Sequence, residues 1–375
     1  MNRLRDLSDP ARDDVTPPRR RSIVPPYLLS RIAEIDDPRF TGAAEAARRS
    51  LLHDGPFREP RRSDVRPVLP HREARPGASR GVVHRVISDA ESAEVLPGRT
   101  VRVEGEPPTS DVAVNEAYDG LGDTYELFWN AFGRDSIDDA GLALDATVHF
   151  GRDYDNAFWD GERMVFGDGD GEVFQRFTLS LSVIGHELAH GVTERTANLR
   201  YEGQSGALNE HVSDVFGALV EQYTLRQTAE EASWLIGAGL FTAEVEGAAL
   251  RSMKAPGTAY DDDVLGRDPQ PAHMDDFIVT TDDNGGVHLN SGIPNRAFCL
   301  AAIEIGGPAW ERAGLIWYDA LTSGELAVDA DFERFAAVSI GAAEARYGAD
   351  SREARAVVSG WTSVGIAVSG ARGGE

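Results

Sequence analysis

The segment LSVIGHELAHGVTE sets His186 and His190 four residues apart. In a helix that spacing puts both imidazoles on one face, within reach of a common tetrahedral zinc ion at about 2.0 to 2.1 Å. Glu187, the next residue round such a helix, is then placed to take a proton from metal-activated water. A catalytic zinc needs a third protein ligand and one corner left open for water. A third histidine six residues on would complete one known pattern, but Thr196 stands there and Thr193 takes the place of that pattern's glycine. Twenty residues past His190, GALNEHVSDVFGALVEQY has helical apolar spacing and carries Glu210, with Asp214 one turn later. Entered through the turn-prone EGQSG, this second helix packs antiparallel to the first. Glu210 is then expected at the metal, and Asp214 behind a ligand histidine, fixing its tautomer. His211 lies about 100° further round the helix and is expected to stay out of the site.

The elements that must hold these groups come from a chain of 375 residues and 40.6 kDa, 41% hydrophobic and 26% charged, long enough for two domains. The net charge of −25 opposes binding to phosphate backbones and anionic lipid surfaces, so no nucleic-acid or membrane partner is expected. A single cysteine, Cys299, permits neither an internal disulfide nor a Cys-rich metal site. Charge is segregated. Residues 1–80 hold 17 arginines against 12 acids, net +5, leaving 20 basic and 50 acidic groups in the rest. Long-range attraction should help to hold the first stretch on the body. Within that stretch, IVPPYLLSRIAEI reads as a polyproline entry to an amphipathic helix, and TGAAEAARRSLLHD as a second helix. VVHRVISD, RTVRVEG and LDATVHFG alternate like strands, and AVNEAYDGLGDTYELFWNAFG is helical in period. This half is mixed α+β. From Leu179 onward the spacing is mainly helical, with loops near 256–272 and 282–286.

Three linked motifs, HELAHGVTE, NEHVSD and NGGVHLNSG, resemble the thermolysin family of zinc metalloendopeptidases from about residue 110 to the C-terminus, and Thr193 and Thr196 exclude the metzincins. NAFWDGERMVFGDGDG is similar to the family's edge strand and turn, LRYEGQSGALNE to its active-site loop, and ALRSM to its cleft arginine. The resemblance implies a two-lobed α+β protease with the cleft between a β-rich lobe, residues 81–198, and a helical lobe, 199–375. Pro25-Pro26-Tyr27 resembles the short propeptide of the protealysin-like subgroup, implying a zymogen whose propeptide spans residues 1–80, with a boundary between 50 and 82. The family is largely secreted, although the start of this chain holds no apolar run of an ordinary signal, and a cytoplasmic site is the alternative. A monomer is expected, with peptide and protein substrates and the propeptide as partners.

Residue by residue, the resemblance assigns zinc to His186, His190 and Glu210, with Asp214 and Asn209 behind them. It makes Glu187 the base, Tyr201 and His288 the oxyanion donors, and Asp283 the carboxylate that orients His288. Asn156 and the backbone of Ala157 pair with an extended substrate, and Arg251 binds a substrate carbonyl. Phe174, Phe177, Val183, Leu250, Ile236 and Leu240 form an apolar pocket for the residue after the cut, made shallower by Phe177. The family's calcium pair is expected to be absent, because Ser182, Ser233, Leu235, Ala238 and Ala248 replace acids and only Glu221 remains, with packing around Trp234 in its place. GDGDG is expected to be a structural turn. A zinc-stabilised but silent binding protein, its cleft blocked by the N-terminal segment, is the competing reading.

Overall fold

The computed structural model describes residues 21–54 and 80–367. Its β-sheet is six-stranded, ordered β1-β5-β6-β4-β2-β3. Those strands are β1 (Arg21–Ser22), β2 (Arg85–Asp89), β3 (Arg99–Val103), β4 (Leu144–Val148), β5 (Ala157–Trp159) and β6 (Met164–Phe166). The alternating segments thus form β2, β3 and β4, and NAFWDGERMVF supplies the β5–β6 hairpin. Five strands belong to the body and the sixth, β1, is added by the N-terminal segment, antiparallel to β5 with Arg21 opposite Trp159.

The two predicted helices of that segment form: α1 (Pro26–Ala33), with proline at its first turn, and α2 (Thr41–Asp54). Leu28, Leu29 and Ile32 of α1 and Ala43, Ala46 and Ala47 of α2 are fully buried. The body reaches over to α2: Glu172 Oε2 accepts from Ala43 N at 2.9 Å, supplying the acceptor that an N-terminal turn otherwise lacks. A Cβ on Gly42 would sit 2.6 Å from the same carboxylate. Among the described residues, ion pairs here are Arg49 with Asp153 at 3.1 Å, His53 with Glu94 at 3.6 Å and Arg21 with Glu194 at 4.0 Å. Apolar burial and hydrogen bonds to backbone groups, among the described residues, add to these pairs in holding the segment.

Helix α3 (Val112–Phe132) begins where the Asp111 side chain accepts from Val114 N and ends at left-handed Gly133. His149 lies between Asp111 and Asp168, 2.9 Å from each. Asp168 and then Asp111 hold its pKa up to about 9. The GDGDG segment is occupied in the same structural way, since Asp170 Oδ1 accepts from the amides of Glu172 and Val173 at 2.6 Å.

Between the lobes run α4 (Leu181–Glu194) and α5 (Gly203–Leu225). Ser182 lies against Gly217 and His190 against Asn209, so the two helices are antiparallel. They approach closely because of glycine: a Cβ on Gly217 would fall 2.3 Å from the Ser182 carbonyl oxygen. One correction concerns EGQSG. It is no separate turn, because α5 already starts at Gly203, with Ser205 Oγ bonding back to the carbonyls of Arg200 and Glu202 at 2.9 Å.

The rest of the second lobe is helical in α6 (Asp283–Asn290), α7 (Gly292–Ile305), α8 (Ala313–Thr322), α9 (Phe332–Tyr347) and α10 (Arg352–Ser363). The connection 226–282 instead carries the short strand pairs β7 (Leu235–Ile236) with β8 (Arg251–Ser252) and β9 (Asp261–Asp262) with β10 (Gly266–Arg267). Among the described residues, no helix is long and apolar enough to cross a membrane.

Candidate metal centre

Helix α4 presents His186 and His190, and α5 presents Glu210, all fully buried. Their ligand atoms lie within 4.8 Å of one another. The outer ring nitrogens are already committed. His186 Nδ1 bonds Asp214 Oδ1 at 2.7 Å and His190 Nδ1 bonds Asn209 Oδ1 at 2.8 Å. Asn209 donates its amide to the Leu199 carbonyl at 2.9 Å, which turns its oxygen toward the imidazole. Each ring therefore carries its proton on Nδ1 and offers the Nε2 lone pair inward. Both Nε2 atoms and Glu210 Oε2 lack any hydrogen-bond partner. Leaving three buried polar atoms unsatisfied is costly, whereas two imidazole nitrogens and a carboxylate oxygen converging on one point suit a zinc ion. Burial lowers the His190 pKa to about 4, keeping it neutral. Burial opposes ionisation of Glu210, but the positive field of His288 outweighs it and holds the carboxyl well below its usual range. The residues present fit the metal.

Glu187 shares the helix but faces the sheet. Its Oε2 accepts from Trp159 N at 3.0 Å, and its Oε1 has no partner. Burial, then the Glu210 charge, raises its pKa well above the ordinary carboxyl value, a condition suited to a group that takes up and returns a proton. Across the cleft, Asp283 to Gly286 run through left-handed backbone with φ between 51° and 85°. That run turns the chain so that Asp283 Oδ1 meets His288 Nδ1 at 2.6 Å while Oδ2 accepts from His288 N at 2.8 Å. Burial disfavours the imidazolium, yet Asp283 and Glu210 raise the His288 pKa overall. His288 Nε2 stands 3.2 Å from the Tyr201 hydroxyl, which donates to Glu210 Oε1.

Asp214 also anchors Arg251, through Nε at 2.9 Å and Nη2 at 2.8 Å, and accepts from Asn295 Nδ2 at 2.8 Å. His211 is outside the site as expected. Its Nδ1 meets Asn295 at 2.8 Å and its Nε2 accepts from Trp317 Nε1 at 2.8 Å.

The N-terminal strand lies in this cleft. Ile23 N donates to Ala157 O at 3.1 Å, and Val24 N to Asn156 Oδ1 at 2.9 Å. Arg251 Nη1 donates to Ile23 O at 2.9 Å, and His288 Nε2 lies 3.0 Å from Ser22 O. Arg21 adds a bond to the His190 carbonyl at 3.1 Å and stands 5.7 Å from the Tyr201 ring. The six apolar residues expected after the cut are buried, at most 1% exposed. Ile236, Leu240 and Leu250 converge near Gly237, Val183 sits one turn before His186, and the Phe174 and Phe177 rings are 5.6 Å apart.

Sequence reasoning missed Ser213, Asn295, Trp159 and Arg21. Ser213 had a signal, because it shares the α5 face of Glu210 and its hydroxyl sits 2.9 Å from His190 Nδ1. Asn295 had none, being 81 residues from the Asp214 it holds.

Two family models match the chain: the thermolysin metallopeptidase catalytic domain over residues 102–194 and the thermolysin metallopeptidase alpha-helical domain over residues 197–366. An extracellular metalloprotease of Pectobacterium carotovorum subsp. carotovorum is 50% identical over 353 residues, 92% of this chain and 96% of that protein. A thermolysin of Alicyclobacillus acidocaldarius subsp. acidocaldarius is 38% identical over 288 residues, 74% of this chain and 50% of its own length. Among solved structures, the precursor of protealysin, a metalloproteinase from Serratia proteamaculans, superposes with a TM-score of 0.83 at 52% identity, covering 92% of this chain and all of that one.

Proposed function

The chain belongs to the thermolysin family of zinc metalloendopeptidases, and from that premise we propose that it cuts before hydrophobic residues and is held inactive by its own N-terminal segment. The observation that carries this reading is the extended run Arg21 to Val24, hydrogen-bonded along β5 and covering the metal centre. While it stays there, no other peptide can pair with Ala157 and Asn156. We take residues 1–80 as the propeptide, 81–198 as the first lobe and 199–375 as the second; the last division falls in the α4–α5 connection. Relatives named extracellular support secretion of this chain as well.

His186, His190 and Glu210 would hold the zinc ion, whose Lewis acidity would bring the pKa of a water towards about 7 and polarise the scissile carbonyl. The protein does the rest. Trp159 N fixes one oxygen of Glu187, so the other is free to accept the water's proton and pass it to the departing nitrogen. His288, oriented by Asp283, and Tyr201 donate to the carbonyl oxygen as it gains charge. Ala157, Asn156 and Arg251 fix the backbone on the leaving side, and the pocket around Val183, Leu250 and Ile236 receives the apolar side chain. Substituting Tyr201→Phe or His288→Ala should lower kcat by about 10²- to 10³-fold with zinc content unchanged. A fall in KM affinity alone, with kcat preserved, would contradict the oxyanion role.

The test of the whole reading is cleavage of an internally quenched peptide by the full chain before and after its N-terminal segment is removed. Activity that does not rise on removal would overturn the zymogen assignment. Because Glu172 caps α2 from the body, Glu172→Ala should weaken the docked state by about 1 kcal/mol, seen as roughly fivefold faster appearance of activity. An unchanged lag would mean the cap contributes nothing to docking.

The residues do not fit the family's calcium pair. The single surviving carboxylate, Glu221, has its pKa raised by burial and is hydrogen-bonded by Ser182 and Ser233. Ser182 Oγ also takes the Gly237 amide at 3.1 Å, and Trp234, 1% exposed, packs edge-on to Phe298. We therefore infer that this corner is held without calcium. Thermal unfolding should be indifferent to added calcium; a midpoint raised by about 5 °C or more would count against that.

A further inference from the structure

The N-terminal segment does more than obstruct the cleft; it lies there with one of its own peptide bonds in the position where a substrate bond would be cut. The Ser22 carbonyl and the Ile23 amide and carbonyl are engaged as a bound substrate's would be. The Ser22 carbonyl oxygen faces His288 Nε2 at 3.0 Å, and that nitrogen is itself 3.5 Å from Glu210 Oε2 and 3.2 Å from the Tyr201 hydroxyl. The carbonyl is thus beside both the metal ligands and the donors that stabilise an oxyanion. One residue on, the Ile23 amide is held by Ala157 O at 3.1 Å and its carbonyl by Arg251 at 2.9 Å. Asn156 then closes on Val24, accepting its amide at 2.9 Å.

The side chains suit the same register. Ile23 follows the bond, is apolar and is fully buried, as the pocket proposed for that position requires. The two prolines come later, at 25 and 26, where the amide is no longer needed and where proline instead starts α1. They leave both amides that the cleft uses intact.

We propose that Ser22–Ile23 is a self-cleavage site, cut within the same molecule before the rest of the N-terminal segment leaves. This rests on the endopeptidase reading above. In the step, the oxygen of a water molecule bonds to the Ser22 carbonyl carbon and the C–N bond to Ile23 breaks. The proton taken by Glu187 goes to the Ile23 nitrogen, and the second proton of the water follows it as the new carboxyl ionises, leaving a carboxylate at Ser22 and an ammonium at Ile23. Residues 23–54 remain docked through α1 and α2, so the cut by itself removes only the chain before Ile23. Its effect is to exchange a continuous strand for two charged ends in a buried cleft, which loosens the occupant from inside.

Two measurements on the full chain test this. In the metal-free protein, hydrogen exchange should show the Ile23 and Val24 amides protected at least 100-fold over unstructured peptide; exchange at the unstructured rate would overturn the register. With zinc added, terminal labelling and mass spectrometry should find a new amino terminus at Ile23, at a rate independent of protein concentration and lost in Glu187→Gln. Ile23→Leu should keep the cut and Ile23→Asp should slow it at least 100-fold. A preparation that turns over a quenched peptide while Ser22–Ile23 stays whole would overturn this proposal and leave the endopeptidase reading standing. One that turns over nothing, even with its N-terminal segment removed, would overturn both.

Discussion

Glu187→Gln should reduce peptide hydrolysis by about 10²- to 10⁴-fold while leaving zinc content and thermal unfolding near those of the unsubstituted protein. Separation of the two effects follows from the geometry. The metal ligands are His186, His190 and Glu210, and none of their contacts passes through Glu187. Glutamine is nearly isosteric, and its carbonyl oxygen can still accept from Trp159 N as Oε2 does now at 3.0 Å. What it cannot do is take a proton from water and hand it on. Glu187 is also fully buried, with burial and the Glu210 charge both disfavouring its ionised form, so removing its charge carries no desolvation cost and should if anything stabilise the fold. Quenched-peptide turnover with zinc quantified on the same sample decides the matter. Equal turnover in the two proteins would remove Glu187 from the mechanism; joint loss of zinc and activity would make it structural.

That prediction draws on the part of the molecule most legible from sequence. His186, Glu187 and His190 lie within a single helical turn, where spacing alone dictates direction. Glu210 and Asp214 were nearly as accessible, because a second amphipathic helix after a short connection has few ways to pack. The helix, strand and turn assignments of the first half rest on clear period-2 and period-3.6 patterns and correspond to β2, β3, β4 and α3. Legibility fails where an element is too short to have a period. Strands β1, β7, β8, β9 and β10 have two residues each, and none exists without the partner it pairs with. The substrate-side residues Asn156, Ala157 and Arg251 were assigned through family resemblance, since nothing local marks them. Their convergence on residues 22–24 is a product of tertiary folding, as is Asn295's grip on Asp214. The left-handed run at Asp283 to Gly286 lies between these cases: DNGG announces a turn, while its service to His288 depends on where the turn is placed.

The largest effect on stability is expected at Asp214 and Arg251. Both side chains are wholly buried, paired at 2.8 and 2.9 Å, and Asp214 additionally holds His186 and Asn295. Asp214→Ala would leave a guanidinium in the interior with no counter-ion and His186 with no acceptor. A cost of about 3 to 5 kcal/mol is expected, together with about 10- to 100-fold weaker zinc binding as the His186 ring loses its orientation. Arg251→Met should cost a similar amount through the stranded Asp214 carboxylate, with less effect on zinc because the Asp214–His186 bond survives. Combining the two should cost clearly less than the sum, since neither charge is then left alone. The pH dependence has a defined sign. Burial alone would raise the Asp214 pKa, but Arg251 and His186 overcome it and depress the folded value far below the usual carboxyl range. The unfolded chain therefore binds this proton first. Its contribution to stability is complete above the unfolded pKa of about 3.9 and fades as pH falls below it towards the depressed folded value. Urea unfolding of the unsubstituted protein and Asp214→Asn at several pH values should give a stability gap that is constant above about pH 5 and narrows in acid. A gap that widened as the solution was acidified would mean that Asp214 is not the charged partner of Arg251.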